Sequence, residues 1–399
     1  MKRTLVGLLA LTLVLSLALV GGCKSRGGAD QSGAGPAGTG TGGTGASSGE
    51  APAAFEPGAG LPVELPSGRL ALGLIDLKPG STWEEAMWLA TVDLEGQNLT
   101  KHFVMHPDDA ALFLSPDGTR LAARRQGMGG EPQWLLYDLS GGAVIVLDIP
   151  SYGYITEVYW SRCSRYIAYM AHDDPDAGTP SRIGIVNLDG TELAAQATTV
   201  RPSAGEGRIA WLVDANAFVF VGSAKPLEPH LYVHDMDTGQ ETQVVRDVFC
   251  TMLRTSPDGR HVAYYVGLMG GRVEIADMST GAKSPVKNYS VSVTGLSWSP
   301  DGALLAIVYS NAECGPARVD FYDAGSRSIT ATTDLIAEWQ YLLPPNLAWS
   351  ADSRYLFLAA DEKGVSSLSI YRIDPRDGSF TKIFACGETQ KIRNLNATP

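Results

Sequence analysis

Side chains that carry most enzymatic chemistry are sparse in this chain: its 399 residues include five Cys and six His. No two cysteines stand at C-x-x-C spacing and no histidines form H-E-x-x-H, which removes thioredoxin-like redox chemistry and zincin-type hydrolysis. Positive charge is short as well. There are 31 basic residues against 43 acidic ones, a formal charge of −12, so the chain lacks the cationic surface needed to hold a phosphate backbone, and no nucleic-acid partner is expected. No apolar run reaches the ~20 residues of a bilayer-spanning helix. Leu5 to Val20 comes nearest, with 16. What the chain has in quantity is Gly and Pro, 45 and 23 residues, which excludes one continuous helical bundle. Hydrophobic residues at 44% suffice for a large core and exclude wholesale disorder.

Lys2 and Arg3 precede the Leu5–Val20 run in the order of a secretory signal, basic then apolar. The run ends in Val20-Gly21-Gly22-Cys23, which resembles the cleavage box of bacterial lipoprotein signal peptides: an aliphatic residue, two small ones, then the cysteine to be acylated. That resemblance implies that residues 1–22 are removed and that Cys23 becomes a diacylated N-terminus. It also implies a protein held by lipid on the extracytoplasmic side of the cell membrane. Two acyl chains anchor stably where one does not, since each buried CH2 contributes about 0.8 kcal/mol. Residues 23–62 follow as a Gly/Ala/Ser/Thr-rich tether, with Phe55 the one large apolar side chain before Leu61. Such a composition cannot bury a core, and a Gly-rich coil of roughly 37 residues spans about 30–35 Å. Within it, Gly45-Ala46-Ser47-Ser48-Gly49 matches G-x-S-x-G, but a nucleophile elbow requires a strand before the serine and a helix after it. This segment supplies neither.

Residues 63–399 are built from one repeated unit. Ser115-Pro116-Asp117-Gly118, Ser256-Pro257-Asp258-Gly259 and Ser299-Pro300-Asp301-Gly302 each lead into an apolar run: Arg120 to Arg125, His261 to Val266 and Leu304 to Tyr309. Degenerate copies at Ser161-Arg162-Cys163-Ser164, Val213-Asp214-Ala215-Asn216 and Ser350-Ala351-Asp352-Ser353 precede Tyr166 to Ala171, Ala217 to Gly222 and Tyr355 to Ala360. From Ser115 to Ser350 there are five steps in 235 residues, a period of 47. Each turn has a mechanism: Pro presets φ, Asp bonds its own backbone two residues on, and Gly takes positive φ. A second strand and turn follow, as in Leu231-Tyr232-Val233-His234-Asp235-Met236-Asp237-Thr238-Gly239, and then a short fourth strand such as Glu241 to Val245. Four short antiparallel strands per repeat predict a β-propeller. The first copy, at Pro66-Ser67-Gly68, lacks a proper innermost strand, whereas Lys391 to Pro399 align with Ser292 to Pro300. The sequence therefore predicts an all-β, seven-bladed ring of four-stranded blades, closed by the C-terminal strand, with six or eight blades as the alternatives.

The units resemble the WD40-like repeats of the TolB propeller family, most clearly in Trp298-Ser299-Pro300-Asp301-Gly302 and its flanking strands. The resemblance covers about residues 64–399 and implies a propeller. For function it implies less, because the family includes envelope proteins, propellers joined to serine peptidases, and domains without assigned activity. Two departures stand out: seven blades where TolB has six, and no extra α/β domain at either end; a peptidase of the prolyl-oligopeptidase type would likewise need a separate α/β-hydrolase domain for its triad.

Candidate functional residues come from the loops that join second to third strands and one blade to the next, since loops vary while blades stay fixed. The longest crossing, Thr332 to Asn346, carries Asp334, Glu338, Trp339 and Tyr341; Asp108 and Asp109 lie on the same expected face. The acidic loop His172 to Gly178 offers oxygen ligands for Ca2+ but matches only the start of an EF-hand, so it reads as solvated surface. His102, His106, His230 and His234 read as strand-end and packing residues. Trp160, Trp211, Trp298 and Trp349 share one register and so belong to the core between blades rather than to a sugar-stacking platform. Four cysteines remain besides Cys23, and a Cys314–Cys386 bridge near the ring closure is expected, with Cys250 as the competing partner. No cofactor or metal is expected. These features point to a monomeric, membrane-anchored module without catalytic activity that binds an envelope protein or a small extracytoplasmic ligand. The alternative is a lyase or hydrolase that uses carboxylates at the pore mouth on a polysaccharide or peptide.

Overall fold

The computed structural model describes residues 61–77, 84–106, 108–125, 133–149, 158–172, 181–188, 192–193, 201–202, 209–212, 216–223, 228–267, 270–310, 317–334, 336, 347–361, 368–387 and 390–398. They lie in the compact unit Ala54–Pro399. No helix occurs among them. Seven antiparallel sheets form the blades of a β-propeller. Blade 1 comprises Leu70–Leu77, Glu84–Val92 and Thr100–Met105, with Gln390–Ala397 as its innermost strand. Blade 2 runs Asp109–Leu114, Arg120–Arg125, Gln133–Asp138 and Val144–Val146, and blade 3 runs Val158–Trp160, Tyr166–His172, Ser181–Asn187 and Glu192–Leu193. Blade 4 has Ile209–Trp211, Ala217–Ser223, His230–Asp235 and Glu241–Val245, with Arg201–Pro202 also paired to its second strand. Blade 5 is Met252–Thr255, His261–Gly267, Gly271–Asp277 and Lys283–Tyr289. Blade 6 is Ser292–Trp298, Leu304–Ser310, Ala317–Asp323 and Ser328–Thr332, and blade 7 is Leu347–Trp349, Leu356–Asp361, Leu368–Ile373 and Phe380–Ala385. The seven-blade expectation holds, and the expected second strands begin and end within about a residue of those observed.

Ring closure is made by the two ends of the repeat region. Gln390–Ala397 pairs with Leu70–Leu77, from Leu70 opposite Ala397 to Asp76 opposite Gln390. The turn that joins first and second strands elsewhere is here assembled from two distant segments. In blade 2, Ser115 N–H donates to Arg120 O at 2.8 Å and Arg120 N–H donates to Ser115 Oγ at 2.9 Å. In blade 1, Thr398 takes the serine's part: its N–H donates to Arg69 O at 2.9 Å, and Arg69 N–H donates to Thr398 Oγ1 at 2.8 Å.

The Ser-x-Asp turns work as their chemistry suggests. Ser115 Oγ donates to Asp117 at 2.6 Å, Ser299 Oγ to Asp301 at 2.6 Å and Ser350 Oγ to Asp352 at 2.7 Å. Asp117 also accepts the Thr119 N–H at 3.0 Å. In two degenerate copies Ser164 and Ser353 occupy the positive-φ position that Gly fills elsewhere, at φ 56° and 61°. Their hydroxyls accept the Asp117 and Asp301 N–H groups of the preceding blades at 3.0 and 3.1 Å, which offsets the strain of a side chain in the left-handed region.

The tryptophan register joins neighbouring blades. Trp160 Nε1 donates to Phe113 O at 2.9 Å, Trp211 Nε1 to Tyr159 O at 2.8 Å and Trp298 Nε1 to Arg254 O at 3.1 Å, each acceptor lying on the innermost strand of the preceding blade. Where blade 5 has Thr255 instead, its Oγ1 donates to Trp211 O at 2.8 Å. Trp349 packs edge-on against Phe321 across the blade 6–7 interface. In blade 3, Gly184 leaves room for the buried Tyr169 ring, which a Cβ at Gly184 would approach to 2.1 Å.

Candidate functional site

Antiparallel blades put the Ser-x-Asp turns and the third-to-fourth-strand turns on one face, and the second-to-third-strand loops and blade crossings on the other. On the loop face the crossing after Ser328–Thr332 begins in an ordered way. Thr333 N–H donates to Val319 O and Thr333 Oγ1 accepts the Val319 N–H, both at 2.9 Å, and Ile336 N–H donates to Ala317 O at 2.9 Å. Thr333 and Ile336 are buried, while Asp334 between them is exposed. Glu338, Trp339 and Tyr341 lie outside the described residues, as do Cys23, the His172–Gly178 loop beyond His172, and Cys314 with its expected bridge to Cys386.

Asp108 and Asp109 are adjacent but differ in role. Asp108 is part-exposed, and its N–H donates to His106 Nδ1 at 3.1 Å. Asp109 is wholly buried. It receives Arg125 Nε at 2.7 Å, Arg125 Nη2 at 3.1 Å, the Tyr137 hydroxyl and, at 3.2 Å, the His106 N–H. Asp109 therefore braces the scaffold instead of facing solvent. Burial, then the charge of Asp109, drives the Tyr137 hydroxyl well above the usual phenol range, so it remains a donor.

Two further buried carboxylates follow the same plan, and the sequence reading missed both. Glu274 accepts Tyr264 OH at 2.8 Å and Arg272 Nε at 2.6 Å. Asp320 accepts Lys287 Nζ at 2.7 Å and Tyr289 OH at 2.9 Å from blade 5, and Tyr309 OH at 3.2 Å and Thr332 Oγ1 at 2.8 Å from blade 6. Lys287 Nζ lies 5.1 and 5.4 Å from the Tyr289 and Tyr309 ring centres, within cation–π range. Desolvation, then the Asp320 charge, pushes the Tyr309 hydroxyl up to about 12. Because Thr332 and Thr333 both tie back to blade 6, this cluster also fixes the root of the Asp334 crossing. The visible signal was an acidic residue, Asp320, between the apolar Val319 and Phe321 in the strand Ala317–Asp323.

The histidines read as packing residues do pack. His234 stacks on Phe218 at 5.0 Å with Nδ1 3.3 Å from Glu241, His230 Nδ1 accepts the Asp247 N–H at 3.0 Å, and His102 Nε2 lies 2.8 Å from Thr91 Oγ1. Burial, then Arg69, lowers the His102 pKa and favours its neutral form. No group of three or more His, Cys, Asp or Glu suited to a metal ion occurs among the described residues.

No protein-family model matches the chain, and no curated protein matches it in sequence. Similar solved structures are propellers. An oligogalacturonate lyase in complex with manganese matches with TM-score 0.55 and 15% identity, covering 80% of this chain and 89% of that one. A prolyl endopeptidase structure matches with TM-score 0.53 and 11% identity, covering 81% of this chain and 50% of that one. TolB from Acinetobacter baumannii gives TM-score 0.45 and 14% identity, covering 82% of this chain and 66% of that one, just under two thirds of its length. At these identities the lyase and endopeptidase likenesses show the fold alone.

Proposed function

We propose that the chain is a membrane-anchored, extracytoplasmic propeller that binds an envelope protein or a small ligand through its loop face and catalyses no reaction. The state of the buried carboxylates supports the non-catalytic part of this reading: Asp109, Glu274 and Asp320 each accept both a cation and a tyrosine hydroxyl within the blades, so these three serve the scaffold. The anchor rests on Val20-Gly21-Gly22-Cys23 and the Gly-rich tether that follows. Asp334, with Glu338, Trp339 and Tyr341, marks the contact loop. A photoreactive residue in place of Asp334 in intact cells should cross-link one defined species, while the same residue at Asp377 on the turn face should not. Cys23→Ser should release the protein from the membrane fraction. Equal capture from both faces, or no capture at Asp334, rejects the loop-face assignment; membrane retention of C23S rejects the anchor.

A further inference from the structure

The turn face carries a groove beside the Leu61–Leu65 segment. Leu61, Val63 and Leu65 pack into the core shared by blades 1 and 2, and Val63 N–H donates to Leu139 O at 2.7 Å. The alternation leaves Pro62 and Glu64 outward. Between this segment and the blade 2 turns runs a groove of about 600 Å³, within the usual size range of ligand sites. Pro62, Val63, Leu65 and Leu139 supply its apolar surface, Glu64 and Asp117 its charge, and no lining residue is Lys or Arg. Neither carboxylate forms an ion pair among the described residues. Arg120, whose charge also favours the ionised Asp117, donates its Nη1 to Thr119 Oγ1 at 3.1 Å and lies outside the groove lining. Asp117 stays ionised because, against the opposing cost of burial, Ser115 and Thr119 donate to it and lower its pKa.

The groove continues into an open sheet edge. Gly142, two residues before Val144, lies against Pro62. In the outer strand of blade 2, Val144 and Val146 are 39% and 59% exposed, two of the four large apolar side chains exposed among the described residues. Asp138 N–H donates to Ala143 O and Leu147 N–H to Trp134 O, so residues 143, 145 and 147 bond inward and the backbone groups of Val144 and Val146 face out. The outer strands of blades 1, 4, 5 and 7 carry charges or Pro, as Lys101, Glu241, Lys283, Pro285 and Lys382 show; this one, like Ser328–Thr332 of blade 6, carries neither, but only here are large apolar side chains of an outer strand exposed among the described residues.

We propose that the groove and edge together dock an extended basic segment of a partner protein. A Lys or Arg of that segment places its charge between Glu64 and Asp117 and its aliphatic stem on Leu65 and Leu139, and the remainder pairs along Val144–Val146. This site is independent of the loop-face reading. The probe is an acetylated hexapeptide of alternating Leu and Lys, titrated into the tethered soluble chain with fluorescence anisotropy; the Leu–Glu counterpart is the control. Glu64→Lys and Ser67→Lys, both at exposed positions, should each weaken binding at least tenfold with unchanged thermal unfolding, and Asp334→Lys should leave it unchanged. Equal affinity for the Leu–Glu peptide, an unaltered affinity in E64K and S67K, or a loss caused by D334K alone overturns the proposal.

Discussion

Cys163 stands where Asp117, Asp258, Asp301 and Asp352 stand in the other turns, and its Sγ is 3.4 Å from Ser161 Oγ, a weak substitute for a carboxylate. Cys163 is exposed, so a charge there meets no desolvation cost. Cys163→Asp should raise stability by about 0.5–1 kcal/mol, read as a higher urea midpoint at constant slope. A lower midpoint would show that the blade 3 turn departs from its sister turns. Gly184→Ala should destabilise by about 1–3 kcal/mol, because the Tyr169 ring already occupies the space of a methyl group. Asp320→Ala should cost about 3 kcal/mol, since it strands Lys287 and three hydroxyls at the blade 5–6 interface. Calorimetry of the two variants checks both, and a loss within about 0.5 kcal/mol for either would remove the packing or network role assigned to that residue.

At the scale of elements, blade 1 depends on a strand some 300 residues away in sequence, and its closing turn depends on Thr398. Thr398 Oγ1 donates to Pro66 O at 2.8 Å besides accepting the Arg69 N–H. Thr398→Ala should therefore destabilise by roughly 1–2 kcal/mol. Removing residues 390–399 should do far more, exposing the edge of Leu70–Leu77 and giving aggregation in place of a cooperative unfolding transition. Size-exclusion chromatography of the truncated chain separates these outcomes, and a monomer that unfolds cooperatively would show that blade 1 does not need its fourth strand. The turns and second strands were legible in the sequence because their determinants are local: Pro, Asp and Gly act within four residues. Asp109 was legible as a residue but not as a role. Its burial follows from a register shift between Ala110 and Phe113, which sets Asp109 opposite Arg125, and alternation along a strand does not reveal a bulge.

Across the whole molecule, the turn face carries aspartates that ionise more readily than free ones. Asp277 is held at about 2, first by the Ser279 hydroxyl and then by the Thr280 N–H. The Asp235, Asp323 and Asp352 pKa values are lowered by the same kind of donors. At Asp258 and Asp301 desolvation opposes the shift, but Ser hydroxyl and backbone donors outweigh it. A folded pKa below the unfolded one gives stability that is complete above the unfolded value, near 4, and is lost as pH falls through the folded values. Urea midpoints should thus be flat from about pH 7 to 5 and fall steeply below about pH 4. A decline already evident between pH 7 and 5 would place the governing titration elsewhere, in a histidine such as His102.

Sequence alone determined the repeat, its period, the seven blades and the closing strand, together with the expectation of a lipid-anchored tether at Cys23. Those features are periodic or local, and periodic patterns survive in one dimension. Tertiary structure decided which polar residues meet. Lys287 and Tyr289 reach Asp320 across a blade boundary, Arg125 claims Asp109, and the Leu61–Leu65 segment leaves an acidic groove against blade 2. Each depends on strand register and on the packing of one blade against the next, which bring together side chains whose separation along the chain carries no signal.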